Sequence, residues 1–78
     1  MKMNQSKEYY QELEQLLVNT LNEVKIHISE QDYCDVQDYI EHGEYGVGWE
    51  LLWHLTQEKN LVVSGDLVIC GEKMGFDI

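Results

Sequence analysis

The apolar residues between Tyr9 and Val24 recur every three or four positions. This is the spacing of one face of an α-helix, so the pattern predicts an amphipathic helix from about Ser6 to Val24. Ser6 is the expected N-cap, because its hydroxyl can accept a hydrogen bond from a free backbone N–H group. The chain of 78 residues contains no proline, the strongest helix breaker, and this composition favours a mostly helical fold.

A second predicted helix runs from about Glu30 to His42. Ser29 precedes it as an N-cap, and Asp32, three residues later, resembles the acidic member of a capping box. Gly43 supplies the left-handed backbone residue that commonly closes a helix. Both ends of this helix are therefore marked by residues with a defined capping role.

Two further helices are predicted in the second half of the chain. The third runs from about Tyr45 to Lys59 and ends at Asn60. The last is capped by Ser64 and ends at Gly75. Between them, residues 61–63 are β-prone and look extended, and the alternative is that they pair with residues 25–28 as a short ribbon. Such a ribbon adds little stability by itself and leaves the fold class unchanged.

These segments predict an all-α fold: a single domain, residues 1–78, built as a compact bundle of about four helices. Connections of a few residues make consecutive helices pack roughly antiparallel. Within the third helix we expect Trp49 in the core and Trp53 partly exposed, since both lie on one helix face. Gly48 is unfavourable inside a helix, so we expect another helix to approach closely at that position.

The charge of the chain is strongly unbalanced. Fifteen acidic residues face five lysines, and the formal net charge is −10. Nucleic acids and anionic membranes carry the same sign of charge, so neither is expected as a direct partner. The expected partner is instead a basic protein surface. No lysine or arginine lies between Lys25 and Lys59, whereas eight acidic residues do.

The acidic block between these two lysines is the predicted partner-binding site. Asp35, Asp38 and Glu41 project from the second helix opposite its apolar stripe, where like charges repel one another. Such a block is either a solvated helix face or a surface whose charge a partner compensates, and the uneven distribution favours the partner. Neighbouring tyrosine and tryptophan side chains are typical of protein interfaces. The predicted partner-binding residues are Asp32, Asp35, Asp38, Tyr39, Glu41, Glu44, Tyr45 and Trp53.

The remaining reactive residues give no signature of catalysis, of a metal site or of a bound cofactor. The three histidines occur singly, and no nucleophile–base pair or phosphate-binding loop is recognisable, so the protein is not expected to be an enzyme. The polar N-terminus does not resemble a secretory signal, and no apolar run is long enough to span a membrane. A cytoplasmic location is therefore expected, with Cys34 and Cys70 as free thiols.

The second half of the chain contains a sequence pattern that also occurs in a known family of proteins. A helix closes in the segment Gly43-Glu44-Tyr45-Gly46, after which Glu50 and two leucines follow. The later segments LVVS at 61–64 and GEKMGF at 71–76 continue the pattern. It resembles the MafI-type immunity proteins of bacteria and covers about half of the chain. The pair Gly48-Trp49 departs from it, since small or aliphatic residues are more usual there.

The resemblance implies an antitoxin role, in which the protein binds a cognate toxin domain and blocks it inside the producing bacterium. Similar small proteins accompany the toxins of contact-dependent growth inhibition. Toxins paired with this family are often ribonucleases, including EndoU-like enzymes that cleave tRNA. A ribonuclease needs a basic cleft for phosphates, and an acidic partner can occupy it. The alternative is an acidic helical adaptor or a homo-oligomeric module unrelated to toxins, and the oligomeric state of the free protein stays open.

Overall fold

Four α-helices make up most of the computed structural model, which describes the backbone of residues 2–77 and the side chains of residues 7–77. The helices are α1 (Lys2–Val24), α2 (Glu30–Glu41), α3 (Tyr45–Glu58) and α4 (Gly65–Lys73). A single 3₁₀ turn, Lys25–His27, connects α1 to α2. No strand occurs between residues 2 and 77, which confirms the expected all-α bundle.

The first helix begins earlier than the sequence predicted. It starts at Lys2, so Ser6 lies inside the helix and its expected role as N-cap is wrong. The physical reason is that the preceding residues include no glycine or proline, and lysine, methionine and glutamine favour helix over a cap. The predicted end of this helix at Val24 is confirmed.

Serine residues start two of the other helices, as expected. The Ser29 hydroxyl accepts a hydrogen bond from the backbone N–H of Asp32 at 3.0 Å, at the beginning of α2. The Ser64 hydroxyl accepts one from the N–H of Asp66 at 3.1 Å, at the beginning of α4. Each cap satisfies a backbone donor that the first helical turn leaves without a partner.

The ends of α2, α3 and α4 share one capping geometry, in which a residue with positive φ follows the helix. These residues are Gly43 (φ 75°), Asn60 (φ 55°) and Gly75 (φ 87°). In each case the N–H of the next residue donates to a carbonyl five positions earlier, over 2.8 to 2.9 Å. This is the Schellman motif, and all three closing residues match the sequence prediction.

The segment between α3 and α4, residues 61–64, has no regular secondary structure. The alternative in which residues 61–63 pair with residues 25–28 as a ribbon is therefore wrong. Local capping explains the outcome, because Lys25–His27 is wound into a 3₁₀ turn and the caps at Asn60 and Ser64 leave only a short connection. Two such short segments have too little pairing to form a stable ribbon.

The core lies where α1 packs against each of the other three helices. Its fully buried side chains include Leu13 and Leu17 from α1, Leu52 from α3 and Leu67 from α4. In addition, Thr20 is buried, and its hydroxyl donates to the carbonyl of Leu16 at 3.0 Å, which removes the penalty for an unpaired buried oxygen.

The predicted burial of Trp49 and the predicted close approach of another helix at Gly48 are both confirmed. Trp49 is 5% exposed and its indole N–H donates to the carbonyl of Leu67 over 2.7 Å, whereas Trp53 is half-buried. A Cβ atom added at Gly48 would lie 3.4 Å from the Cβ atom of Tyr39. Glycine at this position therefore allows α3 to approach α2 closely.

Candidate functional site

A concave surface lies beside the C-terminal half of α2 and the turn that leads into α3. We call it the acidic groove; it has a volume of about 320 Å³. It is lined by Asp35, Asp38, Tyr39, His42 and Glu44. Four of these five residues belong to the predicted partner-binding set, so the structure brings half of that set together.

The geometry of the acidic groove follows from helical spacing and from one glycine. Asp35, Asp38 and His42 are separated by three and four positions, so they project from the same side of α2. The opposite side of α2 is buried in the core. After α2 ends, Gly43 adopts its left-handed conformation and the N–H of Glu44 returns to the carbonyl of Tyr39 at 2.8 Å. This turn carries Glu44 to the groove.

His42 is a member of the groove that sequence reasoning missed. Its Nδ1 atom lies 2.8 Å from the backbone carbonyl oxygen of Asp38. That hydrogen bond, together with the negative charges of Asp38, Glu41 and Glu44, raises the pKa of the His42 imidazole above its usual 6.5. The signal was present in the sequence, since His42 follows Asp38 by four positions at the end of an acidic helix.

Two other predicted acids of α2 lie outside the groove. Asp32 is half-buried in the first helical turn, where its backbone N–H is held by the Ser29 hydroxyl. Glu41 is exposed near the end of the helix. Its charge still acts on the imidazole of His42, so it contributes to the field of the groove without lining it.

Tyr45 lies in a second concave surface, on the other side of the turn between α2 and α3. We call it the tyrosine groove; its volume is also about 320 Å³. Its walls come from α1, from the turn and from the chain after α4. The residues that line it are Tyr9, Tyr10, Leu13, Gly43, Tyr45, Gly46, Met74 and Phe76.

Sequence reasoning did not find Tyr9 or Tyr10 as members of a site. The sequence pattern assigned one of the two, Tyr9 or Tyr10, to the apolar face of α1, and both lie more than thirty residues before Tyr45. Their position beside Tyr45 depends on how α1 packs against the start of α3, and no local pattern encodes that arrangement. Phe76 joins the same surface through the chain that follows α4.

Trp53 is separated from the acids by its position on α3. Its ring is stacked with that of Trp49, with centroids 5.3 Å apart and planes at 11°. Trp49 also stacks with Phe76, with centroids 4.5 Å apart, and bonds to α4 through Leu67. Trp53 thus belongs to a stack of aromatic rings linked to α4, and it does not line the acidic groove.

Two highly exposed apolar side chains lie in connections of the chain, one in the 3₁₀ turn after α1 and one between α3 and α4. Ile26 is 85% exposed and Val62 is 92% exposed. A groove between these two connections, with a volume of about 590 Å³, is lined by residues that include Glu23, His27 and Val63. This region lies apart from both the acidic groove and the tyrosine groove.

The described part of the chain lacks the features of two other classes of site. No cluster of three potential metal-ligating side chains occurs among those described, and none of the helices could cross a membrane. Both cysteines are free thiols: Cys34 is exposed, and Cys70 is buried. Burial raises the pKa of the Cys70 thiol to about 11, so it stays protonated and packs as a small apolar side chain.

Comparisons with models of protein families, with curated proteins and with solved structures give no significant match to this chain.

Proposed function

We propose that this protein is an immunity protein, or antitoxin, which binds a cognate bacterial toxin domain and neutralises it by stoichiometric association. The toxin domain is a basic one, and a ribonuclease such as an EndoU-like enzyme that cleaves tRNA fits best. The observation that carries the proposal is the acidic groove, in which three carboxylates, Asp35, Asp38 and Glu44, line one concave surface.

Electrostatics supports a basic partner at this groove. A concave surface lined mainly by carboxylates focuses the electric field and raises the rate at which a positively charged protein associates. The formal net charge of −10 also attracts a positively charged protein over a longer range. Basic residues that normally bind RNA phosphates would be neutralised in the complex, and the toxin would then lose affinity for its substrate.

The size of the molecule is compatible with a standard interface. Stable complexes bury about 800 Å² on each partner. That area is roughly one-seventh of the accessible surface of 5253 Å², so the acidic groove and its surroundings offer enough area. Tyr39 in the groove supplies the kind of aromatic side chain that contributes strongly to such interfaces.

The sequence resemblance adds support from a separate direction. The segment Gly43–Gly46, which carries the resemblance to MafI-type immunity proteins, contributes residues to both the acidic groove and the tyrosine groove. Part of this sequence pattern is explained by structure alone, because Gly43 is the left-handed residue that ends α2. The side chain of Glu44, the N-cap residue of α3, makes no capping hydrogen bond, so capping does not explain a glutamate there. The presence of Glu44 and Tyr45 in the grooves favours binding as the reason for the pattern.

The test is the association rate with a toxin domain after reversal of charge in the groove. The proposal requires a toxin in a neighbouring open reading frame, and the probe is the C-terminal domain of that toxin. The variant is Asp35→Lys/Asp38→Lys. Association at low salt should slow by about tenfold or more, and its dependence on salt should weaken. Stopped-flow or surface-based kinetics measure both quantities.

A matched control distinguishes the effect of the groove carboxylates on association from the effect of the net charge of the protein. Glu23→Lys/Glu72→Lys makes the same change in charge at two exposed glutamates on α1 and α4. This control should slow association much less than the groove variant. Equal effects of the two variants, or unchanged kinetics in the groove variant, would remove the acidic groove from the interface.

A second candidate function is an adaptor or a homo-oligomeric module without a toxin. The observation that favours it is the exposure of Ile26 and Val62, since apolar side chains that are almost fully exposed often belong to an interface. This candidate requires self-association of the free protein, whereas the antitoxin requires a different chain as partner.

A further inference from the structure

The tyrosine groove brings together aromatic rings from three parts of the chain. The rings of Tyr9 and Tyr10 meet edge to face, with centroids 5.3 Å apart and planes at 67°. The ring of Tyr10 lies 6.0 Å from that of Tyr45, with the planes tilted by 31°. Phe76 and Met74 complete the wall on the side of α4. Four of the eight lining residues are therefore aromatic, and Leu13 and Met74 are the aliphatic side chains among them.

Packing and hydrogen bonding hold these rings in place without a ligand. The hydroxyl of Tyr9 donates to the backbone carbonyl of Lys73 at 2.9 Å, which ties α1 to the end of α4. Phe76 is fixed by its stacking on the buried Trp49 and by the Schellman bond from its N–H to Gly71. Tyr10 remains 53% exposed, so its ring is accessible from solvent. The groove is thus largely pre-organised.

A carboxylate gives the groove a negative charge. Glu14 lies four positions after Tyr10 on α1, so its exposed side chain projects from the same side of the helix as the Tyr10 ring. Burial, followed by the charge of Glu14, raises the pKa of the Tyr45 hydroxyl. Glu12, two positions earlier on α1, is in a different situation because it is paired with the ammonium group of Lys73 at 3.0 Å. Aromatic faces next to a carboxylate form a favourable environment for a cation.

We infer that the tyrosine groove receives an arginine side chain of the protein partner. A planar guanidinium can stack on a tyrosine face while its N–H groups bond to a carboxylate, and it loses less hydration than a lysine ammonium. Glu14 and the tyrosine faces match both requirements. An anionic or nucleic-acid occupant is opposed by Glu14 and by the net charge of −10.

The position of the tyrosine groove relative to the acidic groove strengthens this assignment. Gly43, Tyr45 and Gly46 line one groove, and Glu44, within the same turn, lines the other. A basic surface that covers the turn therefore meets carboxylates on one side and an arginine-binding pocket on the other. The inference rests on the proposed function for the identity of the partner, but the recognition of a guanidinium group is a property of this chain alone.

The test uses a small probe and no toxin. N-acetyl-arginine methylamide is titrated into the purified protein, and the tyrosine ring signals are followed by NMR. The rings of Tyr10 and Tyr45 should shift and saturate. The matching citrulline compound, which has nearly the same shape but no charge, should have no comparable effect. Tyr33 is an internal reference, since it lies outside the groove with the Lys25 ammonium 5.1 Å from its ring centroid.

A pair of variants tests the same groove. Tyr10→Leu should weaken binding of the arginine probe by roughly two- to fivefold, the range expected for a cation–π contact at an exposed site. Tyr33→Leu should leave the affinity unchanged. Because Tyr10 is more than half exposed, its replacement spares the core, and the arginine–citrulline comparison in the unmodified protein does not depend on any variant.

Three outcomes would overturn the inference: equal shifts with arginine and citrulline, shifts confined to residues of the acidic groove, or no saturable shift of Tyr10 and Tyr45. None of these outcomes bears on whether a toxin domain binds the protein. Conversely, a toxin that fails to bind would leave the arginine titration unaffected, so the two proposals fail separately.

Discussion

At the scale of single residues, His42 reports directly on the electrostatics of the acidic groove. Its imidazole lies at the C-terminal end of α2, within a hydrogen bond of the Asp38 carbonyl and among three carboxylates. Both the helix terminus and the acids favour the protonated form. The groove therefore contains a group whose charge responds to whatever occupies it.

The first residue-scale prediction concerns the titration of His42. In an NMR titration its midpoint should lie above the usual 6.5. Asp38→Asn should lower the midpoint, because it removes the nearest negative charge but keeps the backbone carbonyl. Glu72→Gln, a change on α4, should leave it unchanged. A midpoint at or below 6.5 in the unmodified protein would contradict the geometry of the groove.

The direction of the pH dependence follows from the raised pKa. Folding favours the protonated imidazole, so the stabilisation from His42 is fully present below its unfolded pKa and disappears as pH rises through the higher folded pKa. A bound cationic partner would lower the pKa of His42 again. Binding of such a partner should therefore release a proton in this pH range and become stronger as His42 is deprotonated.

Sequence patterns predicted some residue environments well and others not at all. The assignment of Trp49 to the core and Trp53 to a partly exposed position is confirmed. This prediction needed only the spacing of residues along one helix, because that spacing limits how many large side chains face the core. The stacking of Phe76 on Trp49 was not predictable, because it joins residues 27 positions apart through the packing of α4.

At the scale of elements, the turn between α2 and α3 forms because Gly43 adopts a positive φ of 75°. The Schellman bonds that follow direct Glu44 toward the acidic groove and Tyr45 toward the tyrosine groove. A Cβ atom added at position 43 would meet no atom within 4 Å, so space for a methyl group is not the constraint. Backbone conformation is the reason for glycine at this position.

The element-scale prediction compares two glycines. Gly43→Ala should lower the free energy of unfolding by about 1–2 kcal/mol, the cost of a left-handed conformation for an L-residue. Gly65→Ala is the matched control, since this residue has helical backbone and open space around it. It should raise stability by about 0.4–1 kcal/mol. Urea denaturation measures both, and equal effects would show that the conformation of Gly43 is unimportant.

Helix boundaries were predictable wherever a capping residue marks them. Ser29, Ser64, Gly43, Asn60 and Gly75 act as the sequence indicates, because caps depend on only a few neighbouring residues. The start of α1 was predicted incorrectly, since a serine with the right chemistry for a cap can also lie within a helix. The ribbon was a weaker alternative. The 3₁₀ turn at Lys25–His27 and the caps at Asn60 and Ser64 compete with it.

At the scale of the whole molecule, the charge is distributed unevenly, and the acidic groove and the tyrosine groove share the turn between α2 and α3. The acidic block was visible in the sequence, and helical spacing correctly placed Asp35 and Asp38 on one face. The contribution of Tyr9 and Tyr10 was not visible, because it depends on the packing of α1 against the start of α3. The face on which a residue lies follows from its spacing within one helix. A surface shared by several helices depends on how those helices pack, which no short sequence pattern specifies.

The two candidate functions make opposite demands on the molecule. An antitoxin uses the acidic groove and the tyrosine groove for a different, basic chain. A homo-oligomeric module instead uses apolar surface such as the exposed Ile26 and Val62, which lie apart from both grooves. The state of association in solution, with and without a toxin domain, therefore separates them.

The most direct measurement is sedimentation velocity of the protein alone and mixed with the C-terminal domain of the toxin that the antitoxin proposal requires. We predict a monomer of 9.2 kDa alone and a one-to-one complex in the mixture, whose affinity falls as salt is raised. Self-association of the free protein, together with no complex at low salt, would contradict the antitoxin proposal and favour the homo-oligomeric module.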